Sequence, residues 1–519
     1  MTASETRLLD LSEDDRNDAF DRLQQRLPAV WRAFRANDPR ESVVVVPSMS
    51  IDRMVATSGA SNRALEERFL FMLLLLRQPR LKLIYVTSMP VDPAVIEYYL
   101  SLLPGVIPSH ARARLSLVSV GDSSATPLTE KLLARPRLIG ELRARIPDRA
   151  WSHLVPYNTT SNERDLALLL GIPMYGADPR HFPIGTKTGS REAFGAAGIS
   201  FPHGVNGVRS LDDVVSALTE LRSARPRATA AMVKLNEGVS GAGNAEVDLT
   251  GLPQAGDHTE RAGVRDRVLT MTLEDRRVDV AQFLDKLTES AGIVEERVSG
   301  AELRSPSVQM QVTPLGEVEL LSTHDQILGG PTGQSYLGCR FPADPAYAGL
   351  ISSDALRVGG VLARRGVLGR FALDFVVSRS DGRWASDAIE INLRKGGTTH
   401  PFLTLRFLTD GRYDAQSNRF LTPTGDERHL VSTDHFEDES LKGLQVAHLF
   451  DLVAVSGMHF DQAREKGLVF HMMSGITELG RLGMTAVGAT AAEADERFAD
   501  AENRILDEAR AALVPQSLG

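Results

Sequence analysis

Apolar positions change their period along this chain, and the changes mark its organisation. Between residues 42 and 158 four short apolar runs stand out: "SVVVVP" (42–47), "LKLIYVTS" (81–88), "RLSLVSV" (114–120) and "SHLVPYN" (152–158). The first has no alternation, which fits a parallel strand buried on both faces. Between the first two, "NRALEERFLFMLLLL" reads as a helix. Strands alternating with helices predict an open α/β sheet over residues 1–184. Next, "SREAFGAAGISFP" (190–202) predicts a helix capped by Ser190 and stopped near Gly198. The polar stretch 245–285 predicts an insertion. From 301 to 408 the apolar period shortens to two. "VQMQV" turns at "TPLGE" and returns as "VELLS"; "FALDFVV" turns through "SRSDGR" and returns as "WASDAIEIN". This part predicts antiparallel β plus helix. Residues 411–440 read as a polar loop. A helix, the strand-like "GLVFHMM" (467–473), "MTAVGAT" (484–490) and a final helix complete the chain. That last helix carries a capping box, Thr490 with Glu493, and places Phe498, Ile505 and Leu513 on one side.

Composition narrows the function classes. A chain of 519 residues predicts about three or four domains. The 58 basic and 67 acidic side chains give a net charge of −9, so nucleic acid is not expected as a partner. A single cysteine, Cys339, rules out an internal disulfide and a C-x-x-C metal site. The acid-rich N-terminus does not read as a signal peptide. The longest apolar run, "FLFMLLLL", is about a third of a spanning helix. No membrane partner is expected, and the expected location is cytoplasmic.

The chemistry concentrates in three stretches. In "VKLNEGVSGAGN" (233–244), Lys234 ends an apolar run and a loop with Gly238, Ser240, Gly241 and Gly243 follows. A lysine ending a buried strand needs a partner, and a phosphate would serve. Backbone N–H groups of a glycine-rich loop can close over such a phosphate. The order is the reverse of the familiar phosphate loop, where glycines precede the lysine. A flexible hairpin tip with a surface lysine is the plainer alternative. Lys187, just before a helix start, stands at another place where anions gather.

In "LDFVVSRSDGRWASDAIEINLRKGG", Glu390 and Asn392 share one strand face, with Ala388 beside them and Ile389 and Ile391 opposite. Asp374 lies on the partner strand. An odd-numbered loop or a bulge would set Asp374 opposite Glu390. A plain two-residue turn at Asp381-Gly382 would pair it with Ile389 instead. Two carboxylates and an amide oxygen on one face suit magnesium; a solvated acidic face is the alternative. Arg394 follows and could meet a phosphate or a developing negative charge. In "IVEERVSGAELRSP" (293–306), Glu295 and Glu296 end an apolar strand and Glu302 follows a tight turn.

Taken in order, Lys187, Lys234 with its glycine loop, "EERVSGAE", Asp374 and "EIN-R" resemble the ATP-grasp superfamily over roughly 185–408. This is the fold of D-alanine–D-alanine ligase, glutathione synthetase and biotin carboxylase. The resemblance implies that Lys187 and Lys234 hold nucleotide phosphates and that the glycine loop covers them. It also implies that Glu295 and Glu302 contact adenine and ribose, with Glu296 and the backbone to Val298 in the same hinge. Asp374, Glu390 and Asn392 would bind two Mg2+ ions, with Mn2+ as a substitute. A narrower resemblance, to the pheganomycin-type peptide ligases, rests on "PYNTTSNERDLALLLGIPMYGADP", "THDQILGGPTGQSYLGCRFP" and "GLVFHMMSGITELGRLGMTAVGAT". It implies a multidomain α/β and α+β chain: an open α/β pre-ATP-grasp domain (1–184), an ATP-grasp domain (185–408, divided near 300 into nucleotide and metal lobes) and a small C-terminal α/β domain (409–519). The expected activity is ATP-dependent joining of a small carboxylate to an amine or peptide through an acyl phosphate, giving ADP and phosphate. Arg394 would stabilise the oxyanion. Residues 328–338 lack the lysine that some such ligases present to the γ-phosphate, so His324 or Arg340 is expected to substitute. A homodimer is the expected oligomer. The rivals are a carboxylase forming carboxyphosphate and a nucleotide-binding regulator without turnover.

Overall fold

The computed structural model describes residues 8, 10–36, 41–50, 58–238 and 243–513. All four N-terminal apolar runs are strands. They pair in parallel in the order Leu115–Ser119, Lys82–Thr87, Ser42–Val46, Ser152–Pro156. Every residue of Ser42–Val46 is buried, as its unbroken valine run requires. The helix expected next divides into an α-helix, Gly59–Glu67, and a 3-10 segment, Arg68–Arg77. Residues 68–76 are all buried, so this segment has no solvent face.

A second sheet of five strands forms the lobe expected to hold the nucleotide, in the order Gly204–Val208, Gly292–Glu296, Ala230–Leu235, Asn244–Asp248, Thr272–Leu273. The helix Lys187–Ala197 leads into it. It is capped by Thr186, not Ser190, and stopped by Gly198 at φ 62°. The stretch expected as an insertion, 245–285, is built into this lobe. It supplies the strand Asn244–Asp248, the helix Glu260–Leu269 and the start of the helix Val280–Ser290. Val264, Val268, Phe283 and Leu287 bury the apolar side of these helices against this sheet. Two of the intervening charges, Glu260 and Glu274, are themselves buried, Glu260 against Arg222 and Glu274 against Thr332.

The third sheet is antiparallel and carries both expected hairpins. Arg383–Asn392 lies at one edge, followed by Gly369–Ser380, Pro306–Val312, Val318–Gly329 and Ser335–Phe341. The helix Pro345–Arg364 packs on it through Tyr347, Ile351, Ala355 and Val358. Beyond residue 408 the chain extends this same sheet with His429–Glu437, Arg481–Gly488 and Gly467–His471. The polar loop expected at 411–440 thus contains a long strand. Its Ser432, Thr433 and Asp434 are buried, although their polarity suggests a surface. In the final helix, Ala491–Ala512, Thr490 accepts the Glu493 N–H at 3.1 Å. The Glu493 carboxylate turns to Ala489 N, so the expected capping box is only half made. Ile505 is buried and Leu513 exposed. Among the described residues no helix is long and apolar enough to cross a membrane.

One apolar core runs through the N-terminal and C-terminal parts together. It joins Val43, Leu73 and Tyr99 to Phe402, Phe436, Phe470 and Ile505. The nucleotide lobe keeps a core of its own. A cleft of about 610 Å³ lies between the nucleotide-lobe sheet and the antiparallel sheet. The N-terminal part adds Arg68 and Tyr157 to its wall.

Candidate functional site

The Asp374–Glu390 hairpin resolves the alternatives left by its sequence. The turn is the two-residue Asp381-Gly382, both at positive φ (52° and 77°), which matches strand twist. A bulge then restores the acids to one another: Phe375 pairs with Ala388, Asp374 with Glu390, and Ile389 is the extra residue. The bulge also corrects the expected faces. Ala388 joins Ile391 in the core, whereas Ile389 lines the cleft with Glu390 and Asn392. Asn392 Nδ2 donates to Asp374 Oδ2 at 2.9 Å, and Gln326 Nε2 to Asp374 Oδ1 at 2.8 Å. Burial raises the Asp374 carboxyl to about 6, and the neighbouring Glu390 adds to the rise.

Across the cleft stand the two lysines. Lys187 occupies the first turn of its helix and places Nζ 2.6 Å from Glu390 Oε2. Lys234, on the central strand Ala230–Leu235, places Nζ 2.6 Å from Glu295 Oε1. The other oxygen of Glu295 takes Arg191 NH1 at 3.0 Å. Asn236 fastens the stem of the glycine loop to the Lys187 helix by accepting from Thr188 N and Oγ1 at 3.1 and 2.8 Å. Gly238 borders a small recess shared with Glu390, Asn392 and Arg394. Gly243 closes the base of the loop, where its carbonyl accepts Leu235 N at 2.9 Å. Ser240 and Gly241 lie outside the described residues. The far hairpin reaches over to the nucleotide lobe: Thr332 N donates to Glu274 at 2.8 Å, and Asn244 Nδ2 to Gln334 at 2.6 Å.

Two carboxylates and an amide thus face two ammonium groups across one cleft. The donor set fits a hard divalent cation. Asp374 and Glu390 stand in register, and Glu390 raises the cost of charge on Asp374, which a cation between them would offset. The Asn392 amide, turned over, would present its oxygen to the same point.

Comparison with known proteins agrees with this arrangement. Residues 270–414 match a family model described as IQCH-like, ATP-grasp, and 448–499 match one described as the PGM1 C-terminal domain. The β-γ-ATP complex of biotin carboxylase from Campylobacter jejuni superposes with a TM-score of 0.54 at 10% identity, over 91% of this chain and 95% of that one. The chain has an ATP-grasp fold. A curated relative, the L-propargylglycine–L-glutamate ligase of Streptantibioticus cattleyicolor, is 28% identical over 89% of this chain and 93% of its own length. The IQ motif-containing protein H of Danio rerio is 22% identical over 87% of this chain, which spans about half (47%) of that protein.

Within this ATP-grasp cleft several expected residues lie together: Lys187, Lys234, Glu295, Glu296, Val298, Asp374, Glu390, Asn392 and Arg394 all line it. Glu295 is itself buried between Lys234 and Arg191, so its carboxylate is a counterion as it stands. Glu296 accepts His203 N at 3.0 Å and meets Arg225. Glu302 is turned to Arg304 at 2.6 Å, and its side chain is not in the cleft wall. Two expectations are overturned. His324 is fully buried between Phe341 and Phe402, bonded to Ser322 Oγ at 2.8 Å. Burial holds its pKa down at about 3. Arg340 points away to the exposed Asp495 at 3.0 Å. Neither residue lines the cleft, so neither replaces the missing lysine. Sequence reading missed Arg191, Gln326, Arg68 and Tyr157. Only Arg191 left a local signal: it stands four residues after Lys187, on the same helix face.

Proposed function

We propose that this chain is an ATP-dependent ligase joining an amino-acid carboxylate to the amine of a second amino acid or peptide. The observation that carries the reading is the facing of Asp374, Glu390 and Asn392 by Lys187 and Lys234 across one cleft. The likeness to a ligase whose name pairs two amino acids supports the substrate class.

In this reading Lys187 and Lys234 exchange their carboxylate partners for ATP phosphates, and Gly238 and Gly243 frame the loop over them. Arg191 stays paired with Glu295, so this buried carboxylate keeps a counterion when Lys234 turns to the phosphates. Glu296 and the backbone to Val298 border the base, and the Glu302 carboxylate comes no nearer than the strand end. Asp374, Glu390 and Asn392 would hold magnesium, two ions in the full complex, with manganese as a substitute; the metal supplies positive charge to the terminal phosphates. The donor carboxylate oxygen attacks the γ-phosphorus, releasing ADP and forming an acyl phosphate. The amine then attacks the acyl carbon, loses a proton and expels phosphate, leaving an amide. Arg394, half-buried beside Asn392, donates from NH1 to Lys395 O at 3.3 Å and would meet the oxyanion. Holding three reactants in one cleft can itself supply roughly 7–11 kcal/mol.

Isotope tracing tests the reaction class. A donor acid labelled with heavy oxygen in its carboxylate should pass one label to inorganic phosphate. Label in AMP would mean adenylation. ADP release that requires bicarbonate and no amine would mean carboxyphosphate chemistry. Glu390→Gln should abolish turnover and retain part of the nucleotide binding; full activity in that variant would overturn the assignment.

A further inference from the structure

Three buried side chains outside the ATP-grasp set converge on one point. His400 stands in the first turns of the helix Thr399–Thr409, Asp434 within the strand His429–Glu437, and His471 at the end of the strand Gly467–His471. His471 Nε2 lies 2.8 Å from Asp434 Oδ1, His400 Nε2 lies 3.2 Å from the same oxygen, and the two Nε2 atoms are 3.0 Å apart. None of the three residues is more than 3% exposed.

With Asp434 ionised in its pair with Arg68, protons alone do not satisfy this triangle. Each neutral imidazole carries one N–H, on one of its two nitrogens. With both Nε2 atoms protonated, each can donate to Asp434, but the two N–H groups then oppose one another at 3.0 Å. With one of them bare, its lone pair faces the carboxylate oxygen. Either arrangement leaves one short edge repulsive. A central cation removes the conflict, because all three atoms then present lone pairs to it.

We propose that His400, Asp434 and His471 bind one divalent transition-metal ion of the zinc class. An ion at zinc's usual distance of ~2.0–2.2 Å from each ligand would sit about 1 Å above the plane of the three atoms, with an open coordination position beyond. Two imidazole nitrogens select against magnesium, which takes oxygen ligands. The surroundings match a second layer of support. Arg68 NH1 donates to Asp434 Oδ2 at 2.6 Å, which leaves Oδ1 turned to the histidines, and Arg68 NH2 reaches Tyr157 OH at 3.1 Å. Gly483 gives the His471 ring its room: a Cβ there would fall 2.2 Å from Cδ2. Among the described residues His400 Nδ1 has no hydrogen-bond partner, so this ring is oriented from its Nε2 side. The site lies directly behind the cleft wall, to which each ligand segment contributes a residue: Thr398, Asp434 and Met472. The ion would therefore tie the helix Thr399–Thr409 to two C-terminal strands. The site does not depend on the ligase reading.

Metal analysis of the full chain, without a histidine tag, decides it. After stripping with a chelator and reconstitution with zinc sulfate, the wild type should retain about one zinc per chain through desalting. Zinc should raise the melting temperature of the wild type more than that of His471→Ala or Asp434→Asn. His471→Ala and Asp434→Asn should each hold at least tenfold less zinc. Zinc retained equally by the variants, as surface-bound metal would be, overturns the proposal. So does a reconstituted wild type without zinc. Should the variants fail to fold, cobalt(II) reads the wild type directly: visible absorption bands of a nitrogen-ligated ion are expected, and the spectrum of aqueous cobalt alone would refute the site.

Discussion

Each cleft lysine is already engaged with a carboxylate: Lys187 with Glu390, Lys234 with Glu295. The two pairs differ in what they leave behind. Removing Lys234 leaves Glu295 bonded to Arg191, so the buried charge stays compensated and the fold should survive. Lys187→Ala and Lys234→Ala should each weaken ATP binding roughly ten- to hundredfold, the ~1.5–3 kcal/mol of a charge-assisted contact. Calorimetric titration checks this; unchanged affinity in both would put the nucleotide elsewhere. His324 serves packing, and that too is measurable. Its folded-state pKa is held at about 3, below the ordinary 6.5, by burial. As pH falls below 6.5 the unfolded chain takes up the proton first. The contribution is therefore full above the ordinary value and is lost as pH falls towards the folded one, at about 1.4 kcal/mol per pH unit. His324→Gln should flatten the pH dependence of the denaturation midpoint between about pH 6 and 4. A slope identical to wild type would refute this account of His324.

At the scale of elements, the hairpin shows what a sequence specifies and what it leaves free. Alternation placed Glu390 and Asn392 on one face, and Asp381-Gly382 marked the turn. What alternation could not supply was the bulge at Ile389, which reverses the phase of the strand and sends Ala388 into the core. One extra residue changes no composition and leaves no periodic trace. The turn itself is testable apart from the chemistry. A Cβ on Gly382 would meet nothing, but its φ of 77° disfavours any side chain. Gly382→Ala should cost roughly 1–2 kcal/mol in chemical denaturation and leave nucleotide affinity unchanged; a loss of affinity would mean that the turn governs the bulge. The strand His429–Glu437 was hidden for a different reason. Its polar residues pair inside the protein, as Ser432 does with Thr485 at 2.8 Å and Asp434 with Arg68, so polarity pointed to the wrong side. Arg68 and Asp434 stand 366 positions apart, a distance at which no local pattern operates.

For the whole molecule, the division into N-terminal, central and C-terminal parts describes the order of the chain better than its cohesion. The largest core draws on strands near residue 43 and helices near residue 505 alike. Polar links cross the same boundary: Arg68 to Asp434 at 2.6 Å, Tyr99 OH to Phe470 O at 3.1 Å, and Phe470 N to Tyr98 OH at 2.9 Å. Chains of this length commonly unfold in stages, domain by domain. Here the N-terminal sheet and the antiparallel sheet share their buried surface, so neither can open without exposing the other. The three tryptophans report on this. Trp31 and Trp151 lie in the N-terminal part, and Trp384 lies in the hairpin that carries Asp374 and Glu390. A Trp384→Phe chain should report the N-terminal part alone, and a Trp31→Phe, Trp151→Phe chain the hairpin alone. Both should give the same denaturant midpoint, once each is corrected for its own change in stability measured by circular dichroism. An N-terminal fluorescence transition that clearly precedes the hairpin's would show the first sheet to be an independent unit. The shared core would then be a contact between finished domains and not the interior of one.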